Sequence, residues 1–124
     1  MPILNKDDIL NATDFKVEPV EVPEWGKDAI VYVRTISAKD KDSLDNSLFD
    51  FNSKTGEVSR NAENIRIKWC IACICDADGN SLFTAEDLEA LGAKAAAPIT
   101  RCWMKATKLN GDQPNEIEEQ EKNL

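Results

Sequence analysis

The sequence predicts an α+β domain, an N-terminal β-hairpin packed on a bundle of about four helices, and three observations carry that prediction. Two runs with strand periodicity, FKVEPVEV at 15–22 and AIVYVRTI at 29–36, flank the turn Pro23-Glu24-Trp25-Gly26. Past Ile36 the apolar residues change to helical spacing, and cap-forming residues such as Ser37 and Thr84 stand ahead of two of the runs. The segment 61–76 contains neither Gly nor Pro and is apolar nearly all round in its second half, which suits a central core helix.

Each element has a local reason. Residues 5–11 form one or two helical turns, with Asn5 as N-cap and Asp8 at the third helical position. The run 15–22 alternates as a half-buried strand does, and Pro19, which has no N–H for a ladder, places it at an edge or a bulge. Residues 29–36 are rich in β-branched and aromatic side chains and pair antiparallel with the first strand. Two strands alone are marginal in water, so the hairpin must lie on helices or join strands of another subunit. Ser37 and Asp40 supply an N-cap and a reciprocal acid for a helix to about Leu48, with Leu44 and Leu48 on one face. Residues 50–60, DFNSKTGEVSR, are polar, contain Gly56 and read as a mobile loop. IRIKW alternates as a strand would, yet the length of the 61–76 segment favours a helix. On that helix Ile65, Trp69 and Cys73 share one stripe, and Ile67, Ile71 and Ile74 another. Thr84 and Asp87 cap a short helix, AEDLEAL, with Leu88 and Leu91 inward, which Gly92 ends as a left-handed residue. The last helix spans about 94–109, accommodates Pro98 near its first turn, buries Ile99, Cys102, Trp103 and Ala106, and stops at Asn110-Gly111.

The length suits one compact domain, residues 1–110, followed by an acidic flexible tail, 111–124, with too little apolar content to order itself. Of the formal net charge of −8, half lies in that tail, where five acids face Lys122. Such a charge excludes unassisted binding to nucleic acid or an anionic membrane, which reward clustered Lys and Arg. No apolar stretch approaches the ~18 residues of a membrane span, and MPILNKDDIL does not read as a secretory leader, so a cytoplasmic protein is expected. Three of the four cysteines, Cys70, Cys73 and Cys75, lie in WCIACICD without the turn residues of a zinc knuckle. With Cys102 they read as reduced, buried, small hydrophobes. There is no histidine, and no carboxylate pair is singled out by spacing, so neither an enzyme nor a cofactor is expected.

The sharpest local motif is DADGNSLFTAED at 76–87. Asp76, Asp78 and Asn80 fall at the first, third and fifth ligand positions of an EF-hand loop between two expected helices. Position six is Ser81, where the sharp turn demands Gly, and position twelve is Asp87, shorter than the bidentate Glu. A tight Asp-Gly turn leading into a capped helix fits better, with Asp76 and Asp78 making local backbone bonds. This leaves Asp76, Asp78, Asn80 and Asp87 as weak calcium candidates and assigns no metal site. Trp69 and Trp103 lie in apolar helical stripes and belong to the core, whereas Trp25, in a turn beside Pro23 and Gly26, is the candidate partner contact.

The hairpin VPEWGKDAIVYVR and the close succession of turn, capped short helix and second helix in DADGNSLFTAEDLEALGAKAAAPITRCWMKATKLNG together resemble the tail assembly chaperones of phages with long, non-contractile tails, over roughly residues 4–111. The resemblance implies a protein made in the host bacterial cytoplasm during infection or prophage induction. It would bind the long helical tape measure protein, help bring tail tube subunits to it, and be absent from the finished virion. It further implies a minor longer product made by ribosomes slipping back one nucleotide. Glu121-Lys122-Asn123 permits the slippery run A-AAA-AAC, which would make the acidic tail a linker to an added domain. A homo-oligomer is expected from the hairpin's potentially open edge and from the need to coat a long partner. Two other readings stay open at this point: a single-site calcium-binding regulatory module, and a small tail structural protein that remains in the particle.

Overall fold

The two alternating runs form a hairpin of β1 (Val17–Glu21) and β2 (Ile30–Arg34) in the computed structural model, which describes residues 2–111. A 3₁₀ turn at Pro23–Trp25 connects them. The register pairs Glu18 with Val33 and Val20 with Val31, so these side chains share the face that meets the helices, where Val20 and Val33 are buried. The other elements are α1 (Lys6–Leu10), α2 (Ala38–Asn46), β3 (Phe49–Phe51), β4 (Val58–Arg60), α3 (Ile65–Cys73), β5 (Ile74–Cys75), α4 (Leu88–Gly92) and α5 (Ala96–Leu109). The fold is α+β: β1, β2 and β5 form an antiparallel sheet in that order, and α2 to α5 carry the helical side of the core.

Pro19 does lie on an edge strand, and that edge is blunted. The bonds from the N–H of Thr35 to the carbonyl of Lys16 and from Val22 to Ala29 fix which residues face β2, so Val17, Pro19 and Glu21 aim their backbone groups outward. Pro19 has no N–H to offer there, and Arg101 donates Nη1 to the Glu21 carbonyl at 2.8 Å.

Three expectations are corrected. Residues 50–60 are not a loop: β3 and β4 pair antiparallel around a turn in which Asn52 Oδ1 accepts the N–H groups of Lys54 and Thr55, and Gly56 adopts φ +74°. The alternation of FDF and VSR was the available signal, hidden by the polarity of what lies between. The 61–76 segment is helical only from Ile65 to Cys73. At its start Asn61 bonds the Leu48 carbonyl and Asp50, which completes the β3–β4 hairpin, and Asn64 enters the helix with φ 62°. At its end Ile74 and Cys75 leave the helix to pair with Val33 and Tyr32 as a third strand. Gly92 is not a left-handed terminator either; it is the last residue of α4, where an added Cβ would stand 3.0 Å from Ile67 Cδ1. Its missing side chain lets α4 approach α3. The AEDLEAL segment divides into a 3₁₀ turn, Ala85–Asp87, and α4.

Other local readings are borne out. Asn5 and Asp8 exchange bonds at the start of α1, Ser37 Oγ accepts the Asp40 N–H although no return bond from the Asp40 carboxylate accompanies it, and Pro98 sits in the first turn of α5. The core joins Trp69, Cys70 and Cys73 of α3 to Ile99, Cys102, Trp103 and Ala106 of α5, closed by Leu44, Leu48 and Leu91. Trp69 and Trp103 are 2% and 1% exposed, as core residues should be. The four cysteines are free and buried, and burial pushes the Cys73 thiol up to about 12 and Cys102 to about 11, which keeps them protonated near neutral pH. α1 stands apart, with no buried residue. Residues 112–124, on which the acidic tail and the Glu121-Lys122-Asn123 run fall, lie outside the described residues.

Asn110 does more than stop α5. Its Oδ1 accepts the Ile36 N–H at 2.9 Å, and its Nδ2 reaches the carbonyls of Ala106 at 2.9 Å and Arg34 at 3.2 Å, tying the last helix to the end of β2. Replacing Asn110 by Ala strands a part-buried N–H and carbonyl, at a cost of about 1–3 kcal/mol. The expected result is a melting temperature lower by several degrees, on the order of 4–8 °C per kcal/mol for a domain near this size. Calorimetry that shows no change would remove Asn110 from the account of stability.

Candidate functional site

The 76–87 segment is positioned by β5, which ends at Cys75 and returns through a bridge between Cys75 and Ser81. Asp76 Oδ1 accepts the N–H groups of Asp78 and Asn80, each at 2.9 Å, and Oδ2 takes Asn80 Nδ2 at 3.3 Å. The Asn80 N–H leads the interactions that hold the Asp76 carboxyl below its ordinary pKa. Gly79 turns the chain with φ +88°. Asp87 directs Oδ2 to the Thr84 N–H at 2.8 Å, as a helix cap. Asp76 and Asn80 thus come together, while Asp87 is spent elsewhere, and the loop follows a strand rather than the helix expected ahead of it. Among the described residues, no group of three or more Cys, Asp or Glu is arranged to hold a metal ion.

Trp25 closes the 3₁₀ turn between β1 and β2 and is half-buried against the core. It borders a cleft of about 560 Å³ with Phe83, Ala90 and Leu91, to which Glu24, Asp87 and Lys94 add charge. Arg101 holds the turn from α5 by a forked pair with Glu24, at 3.0 and 2.8 Å, besides its bond to the Glu21 carbonyl. This fork, and after it a backbone hydrogen bond within Glu24 itself, brings the Glu24 carboxyl down to about 2. Lys105 pairs with Glu18 at 2.7 Å and lowers that carboxyl too, so two exposed straps join β1 and the turn to α5. The cleft can bind an apolar side chain; it presents no nucleophile paired with a base.

The sequence reading missed most of the uncovered apolar surface. Ile3 is 96%, Leu10 70%, Phe51 69% and Val58 64% exposed, and Leu4, Ile9, Phe15 and Phe49 are exposed as well. Apart from Phe15, which lies between α1 and β1, they fall into two groups, the N-terminal arm through α1 and one face of the β3–β4 hairpin, where Phe51 pairs with Val58. Apolar side chains exposed in such groups make these surfaces candidates for protein contact. No helix among the described residues is long and apolar enough to cross a membrane.

The fold is that of a small α+β domain with candidate surfaces for protein contact. The chain belongs to the phage tail assembly chaperone family, whose model matches residues 6–123. Among solved structures it is similar to one described as the structure of bacteriophage HK97 tail assembly chaperone, at 18% identity and a TM-score of 0.57, over 86% of this chain and 93% of that one. At that identity the likeness is one of fold. None of the curated proteins compared with the chain matches it. Membership of a chaperone family agrees with a non-enzymatic role and with protein partners in the tail.

Calcium is expected to do nothing to this protein, since a ligand bound to the folded state must stabilise it by mass action. Millimolar calcium should leave both the melting temperature and tryptophan emission unchanged. A rise in melting temperature that Asp76→Ala abolishes would establish a calcium site in the 76–87 turn.

Proposed function

We propose that the chain binds the tape measure protein in the cytoplasm of the bacterial host, brings tail tube subunits to it, and leaves before the virion is finished. The single observation that carries this reading is the family match over residues 6–123. The physical surface supports it: an acidic chain with a net charge of −8 stays dispersed, while its exposed apolar arm and hairpin can cover apolar segments of a partner. Trp25 is the proposed anchor, because it is half-buried, lies in the turn held by the Arg101–Glu24 fork, and borders a cleft in which Phe83 and Leu91 offer apolar contact inside a charged rim. The domain is 1–110 in this reading, and 111–124 is a linker to the extra domain of a frameshifted longer product. The codons at Glu121-Lys122-Asn123 and an open overlapping frame decide that part.

Co-expression tests the main proposal. The tape measure protein should remain soluble and co-purify with this chain, Trp25→Ala should reduce the yield of the complex several-fold, and mass spectrometry of purified virions should find none of the chain. The chain in virions at the copy number of a tail component would make it a structural protein instead.

Self-association belongs to the same proposal, because many copies are needed to cover a long partner. The blunted β1 edge redirects the expected contact to the apolar surfaces. Sedimentation velocity across a concentration series should show species larger than the monomer; a strict monomer up to high concentration, with and without the tape measure protein, would end this part of the reading.

A further inference from the structure

Phe83 also borders a second groove, of about 460 Å³, between α2, α3 and residues 81–88. Its walls are apolar, with Leu44, Ile71 and Leu88 beside Phe83, and two cations, Arg34 and Lys68, line it together with one acid, Asp40. Both cations are spent on backbone carbonyls alone. Arg34 gives Nε and Nη2 to Ala72 at 3.2 and 3.1 Å and Nη1 to Gly79 at 3.0 Å; Lys68 gives Nζ to Ser47 at 2.7 Å. No carboxylate among the described residues lies within ion-pair distance of either. In a chain of net charge −8, two cations against the single acid Asp40 leave the lip of this groove locally positive around an apolar floor, and it accepts a segment that offers apolar side chains together with carboxylates.

The chain carries such a segment. Ile3, Leu4, Ile9 and Leu10 are exposed around α1, which buries no residue, and between them Asp7 and Asp8 outweigh Lys6, Asp8 being engaged in the Asn5 cap and Asp7 free of it. None of the residues lining the groove comes from this arm, so within one chain the two surfaces do not meet. We propose that the N-terminal arm, residues 3–10, of one copy docks in the Arg34–Lys68 groove of the next, with Ile9 and Leu10 on the floor and Asp7 toward Lys68. Every copy then donates one arm and accepts another. The contact is heterologous, so it propagates from copy to copy until it closes on itself or runs on as an open string. Covering the arm removes from water Ile3 and Leu10, the two most exposed large apolar side chains among the described residues, and the like-charge repulsion between acidic copies is offset where the acids of the arm meet the lip.

This inference rests on the self-association proposed above, and sedimentation equilibrium separates the two. Leu10→Ser and Lys68→Asp should each weaken association about fivefold or more, a loss equivalent to about 1 kcal/mol. The exchanged pair Asp7→Lys with Lys68→Asp should recover most of that loss within one protein. Circular dichroism confirms that each variant is folded. Should loss of the Ser47 contact unfold Lys68→Asp, the arm variants Leu10→Ser and Ile9→Ser carry the test, since α1 contributes nothing to the core. A parent that associates while all these variants associate equally well overturns the arm-and-groove contact and leaves self-association standing. A parent that is monomeric throughout overturns both.

Discussion

The junction of the sheet with the end of α3 depends on one side chain, that of Arg34. Its guanidinium grips the carbonyl of Ala72, near the end of α3, and that of Gly79, in the turn after β5. A carbonyl in the last turn of a helix has no partner within the helix, and a buried one without any partner costs about 1–3 kcal/mol. By taking Ala72, Arg34 lets α3 stop at Cys73 and frees Ile74 and Cys75 to pair with β2. The same strand then holds α5, because the carbonyl of Arg34 accepts from Asn110. Both faces of residue 34 are therefore used, the side chain for α3 and the 76–80 turn, the backbone for α5. The third strand exists because of this arrangement.

That dependence explains what could and could not be read along the chain. Interactions spanning three residues were legible, as the caps at Asn5, Ser37 and Thr84 show, and so were the buried stripes of α3 and α5. The ends of α3 were not. They are set by partners remote in sequence: Leu48 takes the N–H of Asn61 at one end, and Arg34 takes the carbonyl of Ala72 at the other. The run IRIKWCIACIC is apolar enough for either state, and only the waiting edge of β2 decides where helix gives way to strand. Gly92 illustrates a different limit. A glycine after a helical run has two explanations, a left-handed terminator or a close approach, and the choice depends on Ile67 in another helix.

The site was legible only in part for a related reason. Trp25 stood out because an aromatic residue in a tight turn has little local reason to be there, and the structure gives it a cleft that Phe83 and Leu91 complete. The EF-hand likeness of 76–87 was a matter of spacing, whereas the actual geometry follows from the shortest bonds available to Asp76, to Asp78 and Asn80. The exposed arm and hairpin were invisible for the opposite reason. ILNKDDIL and FDF look like ordinary amphipathic segments, and nothing in a single sequence says that the face to be covered finds no cover within its own chain.

A contrast between the two kinds of surface follows. The backbone edge of β1, which would bind any extended chain without selection, is closed by Pro19 and by Arg101 on the Glu21 carbonyl. The apolar side chains of the arm and hairpin are left open. Backbone pairing is strong and indifferent to sequence, and it leads toward aggregation; side-chain contact depends on shape and charge and can be reversed. The proposed function, holding a partner and later leaving it, would need the second kind of surface and the suppression of the first. The rigid part of the fold, with Trp69 and Trp103 buried between α3 and α5, supplies the platform that keeps these functions apart.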